Sequence, residues 1–357
     1  MNSESPPASE PQPGHDPSAP VHPARAFAGG FLMGLANLVP GLSGGTMILV
    51  LGLYERFIGA IADVTSPPLR PKPSTLAFLA VFGLGGALSV VTLAKLAVWA
   101  VSEHRMASFA LFIGLTLGVV PELWKLSKPL GPAVFAAMAG GFGLVAALEV
   151  LEVNRLEAGL VTLIAVGAAA SASMILPGVS GSYVLLIFGM YEVVIGSIPL
   201  LGEAPREALA TLVPVGIGVV AGIAVLSNLL KWLLRRVPAP THGALLGLVF
   251  GSVIGLWPFQ ELVHQELAQR PIRKTVEAVL TEGQEFAAAA KEYELNDEQS
   301  QLALSFANEN PGLGAGDLKW MSRETRRFSP SGLQIGLCLG LGLLGFFATF
   351  GLSKTRR

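Results

Sequence analysis

The chain is written in long apolar runs separated by short polar breaks. Six runs, at roughly 76–101, 107–126, 132–152, 208–234, 242–259 and 332–353, are each long enough to cross a bilayer, because about 20 apolar residues in a helix cover the hydrocarbon core. Two further regions, 27–62 and 160–200, are apolar but interrupted. The first break is Pro40-Gly41-Leu42-Ser43-Gly44-Gly45, the second Pro177-Gly178-Val179-Ser180-Gly181-Ser182. Each region is too long for one helix and rather short for two spans. Pro-Gly stops a helix, and Ser or Gly can start the next. The pattern therefore predicts, in each region, two half-helices folded back as a re-entrant hairpin. Unpaired backbone at membrane depth is tolerated only where it is packed in protein or lines a polar cavity.

The two interrupted regions are copies at an offset of 137. Pro40, Gly41, Ser43, Gly44, Gly52, Tyr54, Glu55, Ile58, Gly59 and Ile61 match Pro177, Gly178, Ser180, Gly181, Gly189, Tyr191, Glu192, Ile195, Gly196 and Ile198. The copy continues at an offset of 133: Trp99 with Trp232, Gly114 with Gly247, Gly118 with Gly251, and Leu123-Trp124 with Leu256-Trp257. The expected fold is an all-α polytopic membrane protein of two repeats, 27–152 and 160–353, each a re-entrant helical hairpin plus three transmembrane helices. A hairpin returns to its own side and three crossings follow, so the second repeat enters from the opposite face. The halves are then inverted repeats, an arrangement common in secondary transporters.

Charge supports that topology. One face receives Arg25, Arg70, Lys72, Lys125, Lys128, Lys231, Arg235, Arg236, Lys354, Arg356 and Arg357, and the other only Arg105, Arg155 and Arg206 in its short loops. Positive loops stay cytoplasmic, which puts both termini in the cytoplasm. If each broken segment crossed once instead, the bias would be weaker.

Composition narrows the class. Charged residues are 14% of the chain, against about 25% in soluble domains, and 20 of the 49 formal charges fall in residues 261–328. That excludes a soluble enzyme as the main body. A net charge of −1 without a basic patch argues against a nucleic-acid partner. The single cysteine, Cys338, allows no disulfide framework and no Cys-based metal site. Residues 1–26 are Pro-rich with few large apolar side chains, and read as a disordered cytoplasmic tail. They lack the pattern of a signal peptide. The first apolar helix then serves as an uncleaved signal, as suits a bacterial inner-membrane protein. The insert 261–328 reads as a small helical extracytoplasmic cap.

Candidate chemistry begins at the paired turns. Ser43, Gly44, Gly45 and Thr46, with Ser180, Gly181 and Ser182, offer small side chains, hydroxyls and free amides where half-helices start, which suits a phosphate or carboxylate. Packing kinks are the plainer alternative. Glu55 and Glu192 follow about 12 residues on, or about 18 Å along a continuous helix, as coupling or gating carboxylates at each entrance. Arg56 and the intramembrane Lys95, whose repeat counterpart is Asn228, are further candidates to hold an anion, as is Asn37 just before the first turn. Snorkelling is the alternative for both cations. Tyr54 and Tyr191 read as interfacial anchors. The four aspartates form no paired metal site, and the five histidines fall in tails and loops without ligand spacing. There is no Walker-type phosphate loop. No catalytic residue, metal or cofactor is assigned, and the expectation is a transporter of a small or amphipathic anion rather than an enzyme. A lipid-phosphate enzyme or an envelope scaffold acting through the insert stands as the alternative. A homo-oligomer is compatible with such a chain.

The doubled PGxSG turn, each copy followed by Gly-x-Tyr-Glu, and the later Gly-Leu-x-x-Gly and Leu-Trp elements resemble the bacterial and archaeal polyprenyl-phosphate transporter family, sometimes called PopT. The likeness is strong over about 27–260 and weak in the last span. It implies translocation of undecaprenyl phosphate across the cytoplasmic membrane, with the lipid phosphate as substrate and the bilayer as surroundings. It also implies that the two turns and the following glutamates form the functional core. The 261–328 insert is longer than the family pattern.

Overall fold

The computed structural model describes residues 21–38, 43–67, 71–150, 157–198, 200–322 and 324–354. Within them the chain runs α1 (Pro23–Leu38), α2 (Gly44–Val50), α3 (Tyr54–Thr65), α4 (Pro73–Glu103), α5 (Arg105–Leu117), α6 (Val120–Leu126) and α7 (Pro132–Val150). It continues α8 (Leu160–Ile175), α9 (Gly181–Ile187), α10 (Tyr191–Gly196), α11 (Leu200–Glu203), α12 (Pro205–Arg236) and α13 (Pro238–Gly255). Then come β1 (Gln260–Leu262), α14 (Gln265–Ala268), α15 (Arg270–Thr281), α16 (Phe286–Glu292), α17 (Asp297–Glu309), α18 (Ala315–Met321), β2 (Thr325–Arg327) and α19 (Gly332–Lys354). Four helical stretches, Pro73–Leu93, Arg105–Leu126, Pro205–Arg236 and Gly332–Leu352, are long and apolar enough to cross a membrane. Pro132–Leu148 and Leu160–Ile175 are apolar but shorter. The protein is an all-α polytopic membrane protein.

Two compact units divide the chain. The first comprises 1–98, 111–256 and 342–357, the second 99–110 and 257–341. The second unit has its own core, with Leu267, Ile272, Val276, Ala303, Phe306 and Leu318 buried together. α17 opens on a capping box between Asn296 and Gln299, which satisfies two amides at the helix start. A two-stranded antiparallel ribbon pairs β1 with β2, Glu261 opposite Arg326, and those side chains meet at 2.7 Å. Strands of three residues are too short for a period-two signal, so the helical reading of the insert missed them.

In the first unit both broken segments are bent back. Arg25, at the start of α1, donates to the Leu51 carbonyl just past α2 at 2.6 Å. A Cβ on Gly44 would lie 2.7 Å from Met33 and 2.9 Å from Asn37. So α2 returns along α1. Likewise a Cβ on Gly181 would lie 2.6 Å from Met174 and 2.7 Å from the Ala170 carbonyl, with α9 against α8. The returning helices end alike. Gly52 and Gly189 take φ of +61° and +67°. Leu53 N–H reaches Ile48 O, and Met190 N–H reaches Leu185 O, each at 2.9 Å. These are Schellman closures, which glycine allows because it has no Cβ to clash at positive φ. α1 starts at Pro23, a few residues earlier than composition suggests, because proline suits a first helical turn.

Packing repeats with the sequence. A Cβ on Gly30 would overlap the Phe82 carbonyl of α4, and one on Gly167 the Val215 carbonyl of α12, at the same 137 and 133 offsets. Gly34 faces Ser89 where, in the copy, Ser171 faces Gly222; the small residue and the hydroxyl have changed sides. The last helices are exchanged. Gly114 of α5 abuts Gly342 of α19, whereas Gly247 of α13 abuts Met138 of α7. Each half thus packs its final span on the other half.

Candidate functional site

The second turn is the better described of the two. After α8, Leu176, Pro177, Gly178 and Val179 form a turn closed by Val179 N–H to Leu176 O at 3.4 Å. Proline second and a glycine at φ +84° third is the type II pattern. The space at Gly178 is also taken, since a Cβ would lie 2.5 Å from the Leu248 carbonyl of α13. Ser180 then caps α9 in extended conformation (φ −100°, ψ 128°), matched by Ser43 ahead of α2 (φ −94°, ψ 128°). Pro40, Gly41 and Leu42 of the first turn lie outside the described residues, as do residues 1–20 and the side chains of Lys95 and Glu192.

Neither serine's hydroxyl caps a backbone amide of its own helix. Ser43 Oγ donates across to the Leu176 carbonyl at 2.9 Å, and the Ser180 and Ser182 hydroxyls bond to each other at 2.9 Å. A Cβ on Gly45 would lie 2.7 Å from the Ile175 carbonyl and 3.1 Å from Pro177 N. The start of α2 is therefore pressed against the end of α8. Asn37 sits beside Gly44. Thr46 is fully buried and its Oγ1 has no partner among the described residues; a buried polar atom left so costs free energy unless something else satisfies it. The structure thus brings Asn37, Ser43, Gly44 and Gly45 to the second turn.

Other expected residues lie elsewhere. Arg56 is 6% exposed, its guanidinium 5.0 Å over the Phe78 ring and its Nε without a hydrogen-bond partner among the described residues. Phe78 stacks on Phe82, which meets α1 at Gly29 and Gly30. That is nine residues, or about 13 Å of helix, before the α1 tip. Arg56 belongs to the open end of the hairpin. Glu55 and Tyr54 also require correction. The helix after the turn stops at Gly52, so Glu55 sits in the first turn of a separate helix, α3, and the 18 Å continuous path does not exist. Tyr54 is 2% exposed with its hydroxyl unpartnered, not an interfacial anchor.

One residue was missed. His242 lies inside α13 and is 5% exposed, not in a loop. Its Nε2 is 3.5 Å from Glu55 Oε1. The available signal was an ionisable residue leading directly into a helix-length apolar run. Nearby on the same helix, Phe250 and Val253 line an apolar groove of about 570 Å³ with Leu117 of α5 and Phe135, Met138 and Phe142 of α7. Among the described residues no group of three His, Cys, Asp or Glu is placed to hold a metal.

The family model described as VCA0040-like, undecaprenyl phosphate translocase-like, matches residues 33–272. The chain is 35% identical over 248 residues to a polyprenyl-phosphate transporter of Vibrio cholerae serotype O1, covering 65% of this chain and 77% of that one. It is 31% identical over 241 residues to a polyprenyl-phosphate transporter of Staphylococcus aureus strain NCTC 8325, covering 64% and 84%. No solved structure matches. A match that begins inside α1 and runs through both hairpins and α13 into α15 makes the assignment plain: this chain belongs to the undecaprenyl phosphate translocase-like family.

Proposed function

We propose that this protein carries undecaprenyl phosphate across the bacterial cytoplasmic membrane, with its phosphate held where the two hairpins meet. The observation that carries this reading is the seam itself, in which Ser43 Oγ donates to Leu176 O and Gly45 is pressed on Ile175. Ser43 Oγ is spent on the seam, and the Ser180–Ser182 pair keeps one hydroxyl hydrogen, which with the first amides of the returning helices can be offered to an anion. Thr46, buried and unpartnered, is a donor for it. The printed names of the two relatives support a polyprenyl phosphate as the cargo.

In this reading the halves are inverted repeats, both termini are cytoplasmic, and the head group crosses between the turns while the isoprenoid tail stays in lipid. The apolar groove along α7 and α13 suits part of that tail. Ser180, Gly181 and Ser182 complete the head-group contacts from the second hairpin. Arg56 and Lys95 draw the anion toward the membrane, and Glu55 and Glu192 couple its movement to protons. A phosphate head of about −1.5 to −2 moved inward against an inside-negative potential costs about 2.3 kcal/mol per charge per 100 mV, and inward proton flow offsets it.

Reconstitution of the purified chain in liposomes tests this. Labelled undecaprenyl phosphate should move between leaflets, faster with a pH gradient. Equal movement in protein-free liposomes would sink the transport reading, and movement indifferent to the gradient would sink the proton-coupled form.

A further inference from the structure

We infer that Glu55 and His242 together hold one exchangeable proton, and that loading and release of this proton drives the carrier. The inference rests on the proton-coupled reading above and adds to it the missing half of the device. His242 Nδ1 lies 2.8 Å from the Pro238 carbonyl. A carbonyl only accepts, so Nδ1 carries the hydrogen and donates it. The second ring nitrogen, Nε2, is then the atom that gains or loses a proton. It faces Glu55 Oε1 at 3.5 Å. A bare Nε2 and a carboxylate oxygen both only accept, so this approach is favourable when one proton sits on either of them. With no proton, two lone pairs face each other and the contact should open. His242 is buried while the Glu55 side chain is 48% exposed, so the carboxylate is the door through which the proton exchanges with water.

The pair also spans the molecule's two halves, joining α3 of the first to α13 of the second. It occurs once. Glu192 is the repeat counterpart of Glu55, but the counterpart of His242 is Phe109. In sequence, therefore, only the first glutamate has a histidine at the matching position of the other repeat.

Other charges are accounted for. The elements packed on α13 carry Glu122 and Lys125 on α6, Glu149 at the far end of α7, and Arg235 and Arg236 ending α12. Those on or beside α3 are Arg25, Arg56, Asp63 and Lys231. Asp63 pairs with Lys231 at 2.7 Å, Arg25 is held by Leu51 O, and Arg56 lies on Phe78. Among the described residues none of them pairs with Glu55 or His242.

The test is the ratio of polyprenyl-phosphate transport with a one-unit pH gradient to transport without it, in liposomes holding the full chain. Wild type should give up to about tenfold for one coupled proton, and His242→Gln and Glu55→Gln should each bring the ratio near one. A wild-type ratio in either variant overturns the inference. Wild type with a ratio near one overturns proton coupling altogether, and wild type that moves no lipid overturns transport, so the three failures are distinct. A second measurement needs no turnover. In ¹⁵N-histidine-labelled protein, with the His242 signals assigned by their loss in His242→Gln, Glu55→Gln should change the His242 Nε2 chemical shift at fixed pH, because the group facing that nitrogen changes. An unchanged Nε2 shift overturns the pair.

Discussion

Ser43 Oγ and the Leu176 carbonyl are 133 residues apart in sequence and 2.9 Å apart in space, and this bond stitches one hairpin to the other. Ser43→Ala should remove about 1 kcal/mol of stability, read as a lower midpoint of thermal unfolding in detergent. Gly45→Ala should do more, because the new methyl would press on the Ile175 carbonyl and force the seam apart, at about 1–3 kcal/mol. If the seam holds the phosphate, transport falls in the same order, and equal transport in Gly45→Ala and wild type would argue that the head group passes elsewhere.

Glycines in α1 and α8, set against glycines in α4 and α12, offer an internally controlled comparison. Gly30→Ala and Gly167→Ala each drive a methyl into a carbonyl of the neighbouring helix, whereas Cβ atoms at Gly83 and Gly216, another repeat pair, would meet nothing within 4 Å. The first two should destabilise by about 1–3 kcal/mol. The second two should be neutral, or gain up to about 1 kcal/mol from helix propensity. Unfolding midpoints of the four variants decide it.

Gly52 and Gly189 are fixed by their backbone. Alanine at φ near +60° costs about 1–2 kcal/mol, and asparagine, which enters that region more readily, should cost less. The ranking Gly, Asn, Ala is to be checked by unfolding at both positions. A flat ranking would mean that the helix ends re-form without the Schellman closure.

Where α3 meets α12, polar groups are linked in a small net. Asn228 Nδ2 donates to Thr65 Oγ1 at 3.2 Å and to Ala224 O at 2.8 Å, and Ser66 Oγ donates to Asn228. Asn228→Leu takes away the acceptor of the Ser66 hydroxyl and a donor to Thr65 Oγ1, which keeps its own bond to Ile61 O, and should cost about 1–3 kcal/mol. Asp63→Asn, at a half-exposed ion pair with Lys231, should cost under about 1 kcal/mol and less in high salt. Unfolding at two ionic strengths separates the two effects.

Much of this was legible in the sequence because it is local. A Pro-Gly pair interrupts a helix wherever it stands, so the broken segments and their duplication could be read from residue order. The seam could be anticipated only from the duplication, since nothing near Ser43 names Leu176 as its acceptor. The split at Gly52 was missed because Gly-Leu-Tyr-Glu continues an apolar helical pattern without proline; only the positive φ reveals the stop. His242 was missed for a different reason. Its significance comes from Glu55, on a helix far away in sequence, and no spacing rule joins the two. The ribbon of the insert was hidden by its brevity.

The exchange of final spans has a consequence for how the chain is made. The surface of α5 bearing Gly114 and Gly118 leaves the ribosome well before its partner α19, which is translated after the whole insert. Until then that groove must wait in the bilayer, filled by lipid or by other membrane proteins. A nascent chain stopped before Gly332 has both hairpins but an unclosed flank, so arrival of α19, more than 200 residues after α5 begins, is the event that closes it.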